Sequence, residues 1–243
     1  MEPTSHAFKT NARRALDDAQ LQRALGNVQR GFIAKRANAV ARLPEFDQLR
    51  DAATAVKDHT LAHLDLYLER FEERVQEQGG RVHWARTAEE ARAAVLGICQ
   101  EAGAQSATKG KSMVAEEIGL NDHLEAHGIE PVETDLGEYI IQLRNEPPSH
   151  IIAPAIHVNA DEVANQFRIH HTQFAANRPL TEPRALVNEA RQVLRQKYLD
   201  ADVGITGANF LVAETGQSVI VTNEGNGDLT QALPRVHVVI ASL

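Results

Sequence analysis

Two segments set charged and hydroxyl side chains beside glycines. Lys109-Gly110-Lys111-Ser112-Met113 stands where a short strand-like run meets a helical pattern. Lysines at a helix start oppose the helix dipole. Their presence points to an anion, a phosphate or carboxylate, held by Lys109, Lys111 and Ser112. The spacing from an upstream glycine is wrong for a Walker A loop. The plain alternative is two solvated lysines. The second segment runs from Thr206 to Gly227. Phe210–Ala213 and Val219–Val221 read as short strands around a tight turn at Thr215-Gly216-Gln217. Asn223-Glu224-Gly225-Asn226-Gly227 then leads into a helical pattern from Asp228 to Leu233. Such a loop brings backbone N–H groups close to a ligand, and the helix N-terminus favours an anion. The alternative is a hairpin and turn with ordinary Gly and Asn.

More carboxylates lie nearby in the pattern. Glu116 and Glu117 fall in a first helical turn, where acids stabilise a helix by about 0.3–1 kcal/mol each; one of them can turn back to Lys109 or Lys111. Asp135 and Glu138 follow a strand, and ligands of α/β sheets collect at the carboxyl ends of strands. The expected site is a pocket for a small anion. Its binding groups are Lys109, Lys111, Ser112, Asp135, Glu138, Asn209, Thr215, Gly216, Asn223, Gly225 and Asn226, and Glu214 and Glu224 are the proton-transfer groups. The rival account makes Glu224 a turn residue and Glu214 a partner of Lys111 that ties two strands together. No metal site is expected. His123 and His127 are four apart on a helix, but the sequence is His-Leu-Glu-Ala-His with no third ligand. His170 and His171 point apart on a helix. Cys99, among Val95, Leu96 and Ile98, reads as a core thiol. There is no Ser-His-Asp order and no nucleophile elbow.

The elements that must position these groups follow from periodicity. Ala15–Arg42 is helical in pattern and Pro44 breaks it. A long amphipathic helix is expected over Asp47–Gln78, with Leu49, Ala53, Val56, Thr60, Leu64, Tyr67, Phe71 and Val75 on one stripe. Residues 1–79 thus form a helical arm, ended by Gly79-Gly80, that packs on the following domain or reaches for a partner. From residue 80 the pattern alternates. Strands are expected at Arg81–Ala85, Ser106–Lys109, Glu130–Thr134, Tyr139–Leu143, His150–Ala153, Val203–Ile205, the hairpin and Val236–Ile240. Helices run from Thr87, with Glu90 as capping box, to about Ala102, over Met113–His127, and from Pro183. The fold class is α/β, a parallel or mixed sheet with helices on both faces in three layers. The last strand looks buried and lacks its crossover helix, so the chain is expected to be part of something longer.

Bulk composition narrows the function. The 243 residues carry 33 acidic and 25 basic side chains, a net charge of −8. That disfavours nonspecific nucleic-acid binding. A single cysteine forbids an internal disulfide and suits the cytoplasm. No run approaches the length of a membrane span, and Met1–Arg14 lacks a signal core.

Several segments together resemble the bacterial lactate-utilisation protein B family. They are Lys111-Ser112-Met113 with Glu116-Glu117, Glu133 to Ile140, Pro147 to Ile151, Ala153-Pro154-Ala155, Gly204 to Gly207 and Val221 to Gly227. The resemblance covers essentially the whole chain. It implies a lactate-utilisation domain with a fold similar to pentose-phosphate isomerases and coenzyme A transferases. It implies the iron–sulfur member of a multi-subunit L-lactate oxidising system, with partner subunits, electron transfer and [4Fe–4S] clusters in the parent protein. Those clusters belong to a C-terminal region that is absent here, so no cofactor is expected in these residues. Two other readings stay open: a free-standing enzyme of the isomerase or coenzyme A transferase type acting on a small anion, and a structural docking module.

Overall fold

The computed structural model describes residues 5–110, 112–150 and 153–243. The chain divides into two compact units. One comprises the N-terminal helices through Val82 together with Leu211–Gln217; the other comprises His83–Phe210 and Ser218–Leu243. The structural boundary lies slightly beyond the expected 79/80, and the hairpin tip is grouped with the helices.

The first unit holds α1 (Phe8–Asp17), α2 (Ala19–Val28), α3 (Ala34–Ala41), α4 (Phe46–Ala62) and α5 (Leu64–Glu77). The single helix expected over Asp47–Gln78 is broken at His63 (φ −132°, ψ 36°), for which the local sequence gives no reason. The apolar stripe behaves differently on its two halves: Leu49 and Val56 are exposed, whereas Leu64, Tyr67, Phe71 and Val75 are half-buried. The hairpin tip explains part of the difference. Gly216 has φ 74°, and a Cβ there would lie 2.7 Å from the Arg74 carbonyl carbon, so the turn rests directly on the α5 backbone. Only glycine meets both demands.

The second unit is built on a four-stranded parallel sheet in the order β2-β1-β3-β4: β1 (Ser106–Gly110), β2 (Glu130–Glu133), β3 (Val203–Gly207) and, taking the sheet strands in chain order, β4 (Val236–Ile240). The hairpin strands Phe210–Val212 and Gln217–Val219 pair separately. Helices cover both faces, which gives three layers. On one face α6 (Ala88–Glu101), α7 (Met113–Glu117) and α8 (Leu120–Ala126) bury Val95, Cys99, Leu120 and Leu124 against Ala107, Val203 and Ile205. On the other, α9 (Leu136–Arg144), α10 (Ala160–His170) and α11 (Pro183–Asp200) pack Tyr139, Ile140, Phe167, Leu186 and Leu194 against Val132. Strand residues alternate between these faces as the pleat requires.

Local signals account for most ends. Thr87 Oγ1 accepts the Glu90 N–H, while the Glu90 carboxylate takes the Arg86 N–H. Asn159 and Glu162 make a full capping box for α10. Gly119 (φ 66°) splits the helix expected over Met113–His127 into α7 and α8.

Other expectations fail for physical reasons. Arg81–Ala85 is not a strand. Tyr139–Leu143 lies in α9, because Asp135 caps a helix whose apolar residues, Leu136, Tyr139, Ile140 and Leu143, recur at helical spacing. The strand expected at His150–Ala153 includes positions outside the described residues; His150 and Ala153 are not in strands. Among the described residues Val236–Ile240 is an edge strand, paired only with β3 and half-buried throughout, not buried.

A last helix, α12 (Asn226–Ala232), crosses the sheet near β3 and β1. Its approach to β3 is set by Gly204, where a Cβ would stand 1.8 Å from the Thr230 carbonyl oxygen. Backbone cannot yield by that amount without moving the helix. Gly204→Ala is expected to destabilise the fold by about 3 kcal/mol or more, read as a lower urea midpoint. A wild-type midpoint would show that α12 is not held as described.

Candidate functional site: a buried lysine and its carboxylates

β1 and β2 each carry a charge near their carboxyl ends, and the parallel register sets Lys109 beside Glu133. Both are interior, at 1% and 3% exposure. The Lys109 ammonium lies 2.7 Å from Glu133 Oε1 and donates to Glu116 on α7. Glu116 is therefore the acid that turns back to the lysine. Asn121 on α8 donates to Glu133 Oε1 at 2.7 Å. Thr134 ties the strand ends together, since its Oγ1 donates to the Lys109 carbonyl at 2.8 Å.

The electrostatics are unusual. Burial opposes the Lys109 ammonium, but Glu133 and Glu116 outweigh it and hold the lysine above its ordinary range. Burial lifts the Glu133 carboxyl, and Lys109 pulls it back. Glu138, in the first turn of α9, is pushed up to about 8, first by burial and then by the Glu133 carboxylate. One ammonium cannot balance three carboxylates away from water, so Glu138 keeps its proton at neutral pH. Buried ion pairs are a weak source of stability, because desolvation offsets their attraction. A buried charge cluster with a displaced pKa beside a cavity makes this the candidate functional site.

The cavity is about 320 Å³ and lies between α7–α8, α9 and the loop at Asn145–Pro148. Glu116, Glu133, Glu138, Asn121 and Gln142 reach it. Asn121 Oδ1 is buried without a hydrogen-bond donor among the described residues, whereas the protonated Glu138 carboxyl lies within hydrogen-bond reach of Glu133. No lysine or arginine lines it among those residues.

The sequence-derived site residues are distributed as follows. Lys109 and Glu138 belong to this cluster. Ser112 and Asp135 flank it as helix caps: Ser112 Oγ accepts the Ala115 N–H, and Asp135 Oδ1 accepts the Gly137 N–H at 3.0 Å. Lys111 lies outside the described residues. The 223–227 loop approaches the same strand ends. A Cβ at Gly110 would lie 3.0 Å from Thr134 Oγ1 and 3.9 Å from Asn226 Nδ2, and Thr134 Oγ1 is 3.4 Å from Thr230 Oγ1. Asn226 is buried at the start of α12, Gly225 (φ 77°) precedes it, and Asn223 and Glu224 are exposed. None of these four lines the cavity. Asn209 Oδ1 accepts the Val221 N–H at 2.7 Å and closes the base of the hairpin. Glu214, Thr215 and Gly216 sit in the hairpin tip, in the other compact unit. Glu133, Asn121 and Gln142 were not among the sequence-derived site residues. The available signal was a glutamate inside a buried strand beside a strand ending in lysine.

Comparison with known proteins places this geometry. The LUD domain model matches residues 68–243. The chain belongs to the LUD domain family. It is 41% identical over 97% of its length to the uncharacterized electron transport protein YkgF of Escherichia coli K12. It is 39% identical over its full length to lactate utilization protein B of Bacillus subtilis 168, and likewise to that of Bacillus licheniformis. The chain spans about half the length of these relatives. No solved structure matches. No helix among the described residues is long and apolar enough to cross a membrane.

An iron–sulfur cluster does not fit these residues. It requires four thiolates. The one cysteine, Cys99, is fully buried in the core, and burial pushes its thiol up to about 11. Among the described residues no group of three or more His, Cys, Asp or Glu is arranged to hold a metal.

The cluster makes stability depend on pH. The raised Glu138 carboxyl contributes stability that is complete below its ordinary value of 4.5 and is lost as pH rises through about 8. Glu138→Gln should flatten that decline in urea titrations between pH 5 and 8. Lys109→Met should cost about 3–5 kcal/mol near neutrality, because it strands Glu133 as a buried charge. Much of that loss should return at lower pH, because burial raises the Glu133 carboxyl and favours its neutral form. An equal loss at pH 5 and pH 8 would mean the lysine contributes through packing alone.

Proposed function

We propose that this chain is the LUD half of a protein that takes part in L-lactate oxidation in the cytoplasm, alongside partner subunits. In this reading the parent protein carries electrons through [4Fe–4S] clusters held outside these residues. The observation that carries it is 39–41% identity over 97–100% of the chain to proteins named for lactate utilization and electron transport. A resemblance of that extent spans both compact units, so the helical arm and the α/β unit are proposed to work as they do in those relatives.

A chimera tests the reading. The first half of Bacillus subtilis lactate utilization protein B is replaced by this chain in a strain that lacks the native gene. Growth on L-lactate should return. A soluble chimera at normal abundance that gives no growth would sink the proposal.

One observation favours a second reading. Glu138 holds a proton at neutral pH beside Lys109, which suits acid–base chemistry of the isomerase or coenzyme A transferase type on a small substrate. The exposed Glu224 is a further proton-transfer candidate. Within the chimera, Glu224→Gln should abolish lactate growth at an unchanged melting temperature if that residue reacts. Undiminished growth would leave it a turn residue.

A further inference from the structure

Charge is unevenly spread along the chain. Residues 5–42, which hold α1, α2 and α3, carry eight lysines and arginines against two aspartates, in a protein with 25 basic and 33 acidic side chains. Residues 46–77, which hold α4 and α5, reverse this with eight acids and four bases. No described side chain of α1, α2 or α3 is buried. These helices are 10, 10 and 8 residues long. Helices so short are marginal by themselves in water, so a surface to lie on would stabilise them. We propose that α1 and α2 form a basic amphipathic face that docks on a bilayer containing anionic lipid.

The apolar groups have the placement that docking requires. Phe8, Ala12, Ala15 and Leu16 recur at helical spacing on one side of α1, with Lys9 and Arg13 beside them and Asp17 opposite. Phe8 and Leu16 are 69% and 71% exposed. Leu21, Ala24 and Leu25 share one side of α2, and Arg23 falls on the other. Phe32 and Ile33, just beyond α2, are exposed as well. A helix of this pattern lies in the interface plane, with its apolar side at the acyl boundary and its cations among the headgroups. No helix among the described residues is able to span a bilayer, so the contact is peripheral.

Charge complementarity selects the occupant. Among the described residues no ion pair holds Lys9, Arg13, Arg14 or Arg23, so these cations are available to headgroups. Asp18 is engaged otherwise: its Oδ1 accepts the Gln20 and Leu21 N–H groups at 3.0 Å and caps α2. Anionic headgroups attract a basic cluster of this kind, and burial of Phe8 and Leu16 adds to that attraction. Nucleic acid matches the charge but leaves both apolar side chains in water. Leu49 and Val56 on α4 are exposed too, yet they stand in the acidic stretch, which anionic lipid repels. Contact is therefore confined to the first part of the arm.

Co-sedimentation of the 243-residue chain with vesicles tests this, using mixed phosphatidylglycerol and phosphatidylcholine against phosphatidylcholine alone. The chain should pellet with the anionic vesicles and not with the neutral ones, and about 0.5 M NaCl should release much of it. Phe8→Gln with Leu16→Gln, and separately Arg13→Glu with Arg14→Glu, should each weaken partitioning by about tenfold or more. These side chains are exposed, so the melting temperature should not move; glutamine also keeps helix propensity. Leu49→Gln with Val56→Gln should bind as the parent chain does. The proposal is overturned if anionic vesicles do not bind the chain, if neutral vesicles bind it equally, or if the α4 pair weakens binding as much as the α1 pairs. It also falls if the glutamine pair at Phe8 and Leu16 binds normally, if duplex DNA binds more tightly than the vesicles, or if the chain pellets without lipid, which would make a second copy the partner. It stands apart from the lactate reading, since chimera growth and vesicle binding can fail separately.

Discussion

A lysine held inside a protein must be matched by negative charge, and most of the second unit is arranged around that demand at Lys109. The parallel pairing of β1 and β2 delivers Glu133 to it. The short helix α7, started by the buried Ser112 cap, delivers Glu116. Asn121 and Thr134 then use hydrogen bonds to fix the carboxylate and the strand end. The core around the cluster is ordinary apolar packing. The cluster is where solvation energy has been given up, and so where chemistry is most easily placed.

The surplus of carboxyls explains the character of the cavity. With one ammonium and three glutamates, the low-dielectric interior settles the conflict by leaving a proton on Glu138. Lys109 itself, expected to hold an anion, turns toward acids on two neighbouring elements.

A second polar network shows the contrast with a structural role. His171 bridges Tyr139 and Glu189 at 2.8 Å on each side, and Arg178 grips both Glu189 oxygens at 2.5 and 2.6 Å. Both Glu189 oxygens thus have partners, and burial, which opposes the imidazolium, leads the influences that hold His171 low. That network ties α9, α10 and α11 together and leaves no acceptor of Glu189 open. The Lys109 cluster leaves Asn121 Oδ1 open among the described residues and keeps a surplus proton on Glu138 beside a cavity. Satisfaction of the polar groups, more than their burial, separates the two.

Much of the frame was legible in the sequence. The alternation after residue 80, the strands expected at Ser106–Lys109, Glu130–Thr134 and Val203–Ile205, each within two residues of the observed bounds, and the helix starts at Thr87 and Pro183 follow from period, capping and glycine placement, which act over a few residues. The pairing of Glu116 with Lys109 was also open to reading, since one helical turn brings them together. Tyr139–Leu143 misled because a short apolar run fits strand and helix alike until its cap is seen. Glu133 was hidden for a different reason. Its meaning comes from strand register, a contact between residues 24 positions apart along the chain, as Lys109 and Glu133 are. The same holds for Gly204, which looks like any glycine until the α12 backbone lies across it. Local order is written in neighbouring residues, whereas burial, charge balance and open acceptors exist only once distant segments have met.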